Sequence, residues 1–157
     1  MVRGSVLHFW DLGGALSMRS LWDQYLPDAQ LLVWVVDAPR WNSNPILEEG
    51  PYRTAVSNAF MHLVLSAAAR DLPILVVLSQ VDQLSTGSAA ASILQQDLHT
   101  FLLKQWAVLV DRTPSAATLT PDWHLATVSA ATGDGIPSLL DTMHQHAARF
   151  AQSNPTQ

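Results

Sequence analysis

The chain has 157 residues, 13 acidic against 8 basic side chains, and no cysteine. Its length fits one domain with a sizeable core. The absent thiols exclude disulfides, zinc–thiolate centres and cysteine nucleophiles in these residues, and a net charge of −5 without any basic run argues against nucleic-acid partners.

In chain order, Ser5–Trp10 alternates moderately, with Val6–Trp10 the expected strand, and ends at Asp11-Leu12-Gly13-Gly14. Leu31–Val36 is continuously apolar and ends at Asp37, and Ile74–Leu78 repeats that pattern, ending near Asp82. Leu125–Val128 is a fourth run, closed by Ser129. Runs that are apolar at both alternating positions predict strands buried on both faces, hence a parallel sheet. Between them lie helical stripes. Tyr52, Val56, Ala59, Phe60, Leu63, Val64 and Ala67 predict a helix over about Leu47–Arg70. Leu94, Leu98, Phe101, Leu102 and Gln105 predict one over about Ser88–Leu109. The last stripe is Ile136, Leu139, Leu140, Met143, Ala147 and Phe150, with Asp134 or Gly135 as cap and Pro137 in the first turn. Asp111–Asp122, with two prolines, reads as a loop. The expected fold is therefore α/β: three layers, a mainly parallel sheet of the four runs, and helices on both faces. It fills residues 1–152, with 153–157 a frayed tail.

In open α/β sheets ligands bind beyond the carboxyl ends of the strands. Three such ends carry suggestive residues. Asp11 suits a hydrated Mg²⁺, and Gly13-Gly14 lets a backbone N–H approach a phosphate oxygen with no side chain between. A tight strand-to-helix turn explains the same four residues about as well. Ser79-Gln80-Val81-Asp82 ends in a carboxylate able to accept two N–H donors from a guanine edge; the alternative is a polar loop capping the sheet. Ser129-Ala130-Ala131 and Thr132-Gly133-Asp134-Gly135 are small enough for backbone N–H groups to reach a base carbonyl, or else form an ordinary loop with a helix cap. His144 and His146, two apart on a helix, face different directions and make no metal pair. No Gly-x-Ser-x-Gly or His-Glu-x-x-His occurs, so hydrolase and zinc-protease motifs are missing.

In this order and spacing the segments resemble the Arf family of small GTPases, and within it the Arf-related branch. Trp10-Asp11-Leu12-Gly13-Gly14 is similar to that family's third guanine-nucleotide motif. Ser20-Leu21-Trp22-Asp23-Gln24-Tyr25 is similar to its switch II helix, and Leu32–Asp37 to the next strand. Ser79-Gln80-Val81-Asp82 stands where Asn-Lys-x-Asp is usual, and Trp123–Gly135 resembles the last strand and its Ser-Ala loop. The resemblance implies a GTP/GDP switch with Mg²⁺, working in vesicle and Golgi membrane traffic, cytoplasmic or peripheral to endomembranes. It implies that Asp11 meets Mg²⁺ through water. Gly13 and Gly14 would face the γ-phosphate, Ser79, Gln80 and Asp82 the guanine, and Ser129 and Ala130 its carbonyl. Trp10 and Tyr25 would contact effectors on the switch II surface, or simply pack beneath it. No direct membrane anchor is expected in the sequence as written, since residue 2 is Val, not Gly.

The departures are equally specific. The family's first strand, its Gly-x-x-x-x-Gly-Lys-Ser/Thr loop, switch I and second strand have no counterpart in these residues. Ala15 stands where the family's catalytic Gln orients water, so the catalytic residue is unknown and hydrolysis is expected to be slow. Ser79 and Gln80 replace Asn and Lys. The expectations are a truncated sequence first, then relocation of Ser5–Trp10 beside Leu31–Val36, or a gap filled by another chain. The rival to a switch is a nucleotide-free pseudo-GTPase, a protein-binding module without cofactor.

Overall fold

The computed structural model describes residues 6–43, 50–85 and 87–153. Among these, three strands form one sheet in the order β1 (Leu32–Asp37), β2 (Ile74–Ser79), β3 (Trp123–Thr127). Both pairings are parallel, running from Leu32↔Ile74 to Asp37↔Ser79 and from Ile74↔Trp123 to Leu78↔Thr127. β2 is central and buried from Ile74 to Leu78, which is why its run contains no polar residue.

The strand period of two divides the core. Ile74, Val76 and Leu78 point to one face, with Phe60, Leu63, Leu98 and Leu102 from α3 (Pro51–Ala68) and α4 (Gly87–Arg112). Leu75 and Val77 point to the other, against Val128 and against Leu139 and Met143 of α5 (Ile136–Ser153). Each large apolar side chain so buried contributes about 1.5–3 kcal/mol. Two shorter helices, α1 (Arg19–Tyr25) and α2 (Ala38–Asn42), sit at the ends of β1.

Local signals set the boundaries. α3 starts at Gly50 with Pro51 in its first turn; the expected start at Leu47 lies outside the described residues. It ends where Asp71 adopts a left-handed φ of 54°. The Leu72 N–H then bonds the Ala67 carbonyl at 3.0 Å and the Asp71 N–H that of Ala68 at 3.3 Å. That double closure satisfies the last free carbonyls, and buried Leu72 and then Pro73 lead straight into β2. α4 runs past its expected end to Arg112, and a 3₁₀ turn at Pro114–Thr118 occupies part of the expected loop.

One expected strand is corrected. Val6–Trp10 is not in the sheet, and neither does it move beside β1. The Leu32 N–H is spent on the Pro73 carbonyl, and alternation in a parallel ladder turns the backbone groups of Val33 and Val35 to the opposite edge. A cavity of about 1200 Å³ lies there, with Val6–Leu12 as part of its lining. With no strand within bonding reach, the segment stays unpaired, and Val6, Phe9 and Trp10 are 76%, 65% and 53% exposed.

Candidate functional site

The carboxyl ends of β1 and β2 and the turn after β3 are tied together by polar bonds. Past β2, Gln80 takes a left-handed φ of 61°, turning the chain into the short Val81–Gln83 helix. Val81 N–H then bonds the Val128 carbonyl at 3.3 Å, which ties the loop after β2 to the end of β3. Asp82 is exposed, but its Oδ1 accepts from the fully buried Ser129 hydroxyl at 2.6 Å. The same Ser129 oxygen accepts the Thr132 N–H at 3.1 Å. Ser129 thus aims the carboxylate while Oδ2 remains for another donor.

The Ser129–Gly135 loop is wound tightly. Ser129 N–H bonds the Asp134 carbonyl and Gly133 N–H the Ser129 carbonyl, both at 2.9 Å. Gly133 and Gly135 have φ of 83° and 75°. At Gly135 a Cβ would collide with the Thr127 carbonyl oxygen, so only glycine lets this turn close onto β3. Ala130 and Ala131 are exposed on the outside of the turn.

Asp37 joins β1 to this end. Its Oδ1 caps α2 by accepting the Arg40 N–H at 2.9 Å, and Oδ2 meets Gln80 Nε2 at 3.5 Å. Its own N–H donates to the Tyr52 hydroxyl at 2.9 Å, and the Arg40 guanidinium lies 4.4 Å from the Tyr52 ring centroid. Burial pushes the Tyr52 phenol above its usual range. Ser79 Oγ donates to the Val36 carbonyl at 3.3 Å. Asp37 was legible as a strand-closing carboxylate; its partnership with Tyr52 was not, because Tyr52 read only as part of a helical stripe.

The Asp11–Ala15 segment stands apart. Asp11, Gly14 and Ala15 are exposed and line the 1200 Å³ cavity rather than the Asp82–Ser129 turn. The Gly13 carbonyl accepts from Trp22 Nε1 at 3.2 Å, which fixes the segment over α1. Trp10 and Tyr25 meet at 5.7 Å between ring centroids, tilted by 52°, and both are partly exposed. Among the described residues no cluster of His, Asp and Glu is arranged to hold a metal ion. No described helix is long and apolar enough to cross a membrane.

A profile of the ADP-ribosylation factor family matches residues 1–147. The chain belongs to the ADP-ribosylation factor family. It is 32% identical over 85 residues to ADP-ribosylation factor-like protein 8b of Arabidopsis thaliana, covering 53% of this chain and 41% of that one. Identity to ADP-ribosylation factor-related protein 1 of Homo sapiens is 36% over 77 residues, 48% and 33% of the two chains. With ADP-ribosylation factor-like protein 1 of Saccharomyces cerevisiae the match is longer, 29% over 136 residues, 86% and 60%. The chain spans about a third to three-fifths of the length of these relatives.

For an ADP-ribosylation factor family chain the nucleotide is the group to test against the residues present. An oriented carboxylate with a free oxygen faces solvent beside a loop of small residues, a donor set that a guanine edge would fit. At the phosphate end the 157 residues offer Gly13, Gly14 and Asp11 but no Gly-x-x-x-x-Gly-Lys-Ser/Thr cradle.

Proposed function

We propose that this chain carries the guanine-recognition end and the switch II surface of an Arf-like GTP-binding switch acting in vesicle and Golgi traffic, peripheral to endomembranes. The observation that supports it best is the Ser129–Asp82 hydrogen bond of 2.6 Å. It holds a carboxylate, at the joined ends of β2 and β3, in position to accept guanine N1–H and the exocyclic amine. The Gln80 stem would lie beside that base, with Ser79 and the Ser129–Ala130 backbone around it. Asp11 would hold Mg²⁺ through water and Gly13–Gly14 would meet the phosphates. GTP would order the segment from Gly13 to Gln24 and present Trp10 and Tyr25 to effector and regulatory proteins.

The test is base selectivity in a version carrying a grafted phosphate-loop segment. Xanthine presents a carbonyl where guanine has its amine, so Asp82→Asn should move preference from guanosine to xanthosine nucleotides. A site built to bond a polar group rejects analogues lacking it by large factors. Equal binding of both nucleotides, unchanged by Asp82→Asn, sinks the assignment.

A second reading is supported by Ala15 and by Ser79-Gln80. An alanine methyl cannot orient water, and Gln80 is engaged with Asp37 and Gln83 instead of carrying a charge. Under it the chain is a nucleotide-free pseudo-GTPase that keeps the aromatic surface as a protein-binding module.

A further inference from the structure

Leu75, Leu139 and Met143 close the centre of the contact between the sheet and α5. Beside them, between β3 and α5, lies a cleft of about 320 Å³, at the lower end of the range for small-molecule sites. The periods of strand and helix bring its groups there. Asp122, His124 and Ala126 alternate onto one face, and Ala126 packs against the same apolar cluster as Leu139. On α5, Ser138, Thr142, Gln145 and Arg149 recur every three or four residues as one row, with His146 alongside. The Thr142 hydroxyl is spent on the Ser138 carbonyl at 2.9 Å.

The lining runs against the composition of the chain. Acidic residues outnumber basic ones 13 to 8 overall, yet His124, His146 and Arg149 line this cleft, and no Asp or Glu does among the described residues. The two imidazoles lie 5.2 Å apart, centroid to centroid, tilted by 48°. His124 is aligned by Asp122, whose Oδ1 meets its Nε2 at 3.1 Å. His146 is buried, and burial holds its imidazole below the usual range; His124 and Arg149 push the same way, and Asp122 opposes them. Positive charges on these three groups repel one another, and a doubly charged oxyanion among them would turn each interaction favourable. Ser138 and Gln145 add a hydroxyl and an amide to the lining. Donors arriving from a strand and from a helix row suit a tetrahedral group with several acceptor oxygens better than a flat carboxylate. Leu75 and Leu139 give the cleft an apolar side for an organic stem. With a net charge of −5 and no basic run, the chain has little hold on an anionic lipid surface, which favours a soluble ligand.

We propose that the cleft between β3 and α5 binds a small soluble phosphate monoester, its phosphate held by His124, His146 and Arg149 and its stem against Leu75 and Leu139. The cleft shares no residue with the guanine-recognition turn or with Asp11–Gly14, so this proposal and the GTP reading can fail separately.

The full 157-residue chain is titrated with glycerol 3-phosphate, with glycerol as the uncharged control, while NMR follows the ring protons of His124 and His146. At pH 6 both rings should shift along one saturation curve, with a Kd of about 1 mM or lower, and glycerol should move neither. Arg149→Gln and, separately, His124→Gln should each weaken binding by about fivefold or more. Both side chains are exposed, so each variant should keep its fold, which its amide spectrum checks. Sulfate stays doubly charged across the range and so isolates the imidazoles. Its affinity should rise about tenfold from pH 7.5 to 5.5, because a bound anion and bound protons favour each other. Vesicles containing phosphatidate offer the same phosphate on a lipid and should bind no better than neutral vesicles. The proposal is overturned if the rings do not shift or the shifts fail to saturate below about 10 mM. Undiminished binding in both folded variants, sulfate affinity independent of pH, or preference for the phosphatidate vesicles overturns it too.

Discussion

Gly135 and Gly133 share a left-handed backbone, and only one of them is crowded. A Cβ at Gly133 meets nothing within 4 Å, whereas at Gly135 it collides with the Thr127 carbonyl of β3. Gly133→Ala should therefore cost only the backbone strain, about 1 kcal/mol, and Gly135→Ala about 3 kcal/mol or more. Denaturant titration of both variants checks the order; equal losses would place the collision elsewhere. A second residue-scale prediction concerns His146. Burial holds its imidazole below the usual range, and His124, 5.2 Å away ring to ring, adds repulsion, while Asp122 opposes it and Arg149 reinforces it. The folded protein then binds fewer protons than the unfolded chain, so stability should fall as pH drops below about 6.5 and level off beneath the folded value. His146→Phe should flatten that slope in thermal melts between pH 7.5 and 5; an unchanged slope would mean other groups carry it. The sequence made the glycine turn legible, because Thr-Gly-Asp-Gly before an apolar stripe has few other uses. It gave no hint that His146 is buried beside a second imidazole, since His124 lies 22 positions earlier in the chain.

At the scale of elements, α2, α3 and α4 meet in a polar knot. The Arg53 guanidinium is buried, bonds Asp97 Oδ2 at 2.8 Å and the Trp41 carbonyl at 3.3 Å, and lies 4.3 Å from the Trp41 ring centroid. Trp41 Nε1 donates to the same Asp97 oxygen at 2.9 Å. The two ions are not equivalent, because Asp97 is 43% exposed and Arg53 only 5%. Asp97→Ala strands a buried cation whose Nε already lacks an acceptor, and should cost about 2–3 kcal/mol after allowing for solvent at the carboxylate. Arg53→Met leaves an anion that water can reach and should cost about 1 kcal/mol or less. The reverse order in urea melts would show that the carboxylate, not the guanidinium, is the dependent partner. Strand runs and apolar stripes gave the elements their places because burial is periodic in sequence. Arg53 escaped because a buried ion breaks that period and depends on a partner 44 residues away. Val6–Trp10 was misjudged for a related reason: alternation records which side chains seek burial, while a strand also needs a neighbour, which no local pattern encodes.

For the molecule as a whole, the decisive quantity is how tightly these 157 residues hold a nucleotide. In phosphate-loop proteins the loop's backbone amides and lysine cradle the phosphates, and its Ser/Thr helps hold Mg²⁺. In the proposed reading the base end would be Ser129, Asp82 and the Gly133–Gly135 turn. The proposed phosphate end would have only Gly13–Gly14 and Asp11, of which Asp11 and Gly14 line a cavity apart from that turn. A guanine contact of two hydrogen bonds to one carboxylate, exposed to water, contributes about 1.5–3 kcal/mol per charged bond at most. Association itself removes several kcal/mol through lost freedom of motion. Calorimetric titration of this chain with GTP and Mg²⁺ should thus give no better than about millimolar affinity, roughly −4 kcal/mol. Submicromolar binding would mean that the phosphates find a grip elsewhere in these residues. If GTP and GDP bind equally weakly, the γ-phosphate adds nothing to what little affinity exists. An advantage of about tenfold for GTP would require a γ-phosphate contact, and Gly14, where an added Cβ would meet nothing within 4 Å, is the first place to test by Gly14→Ala.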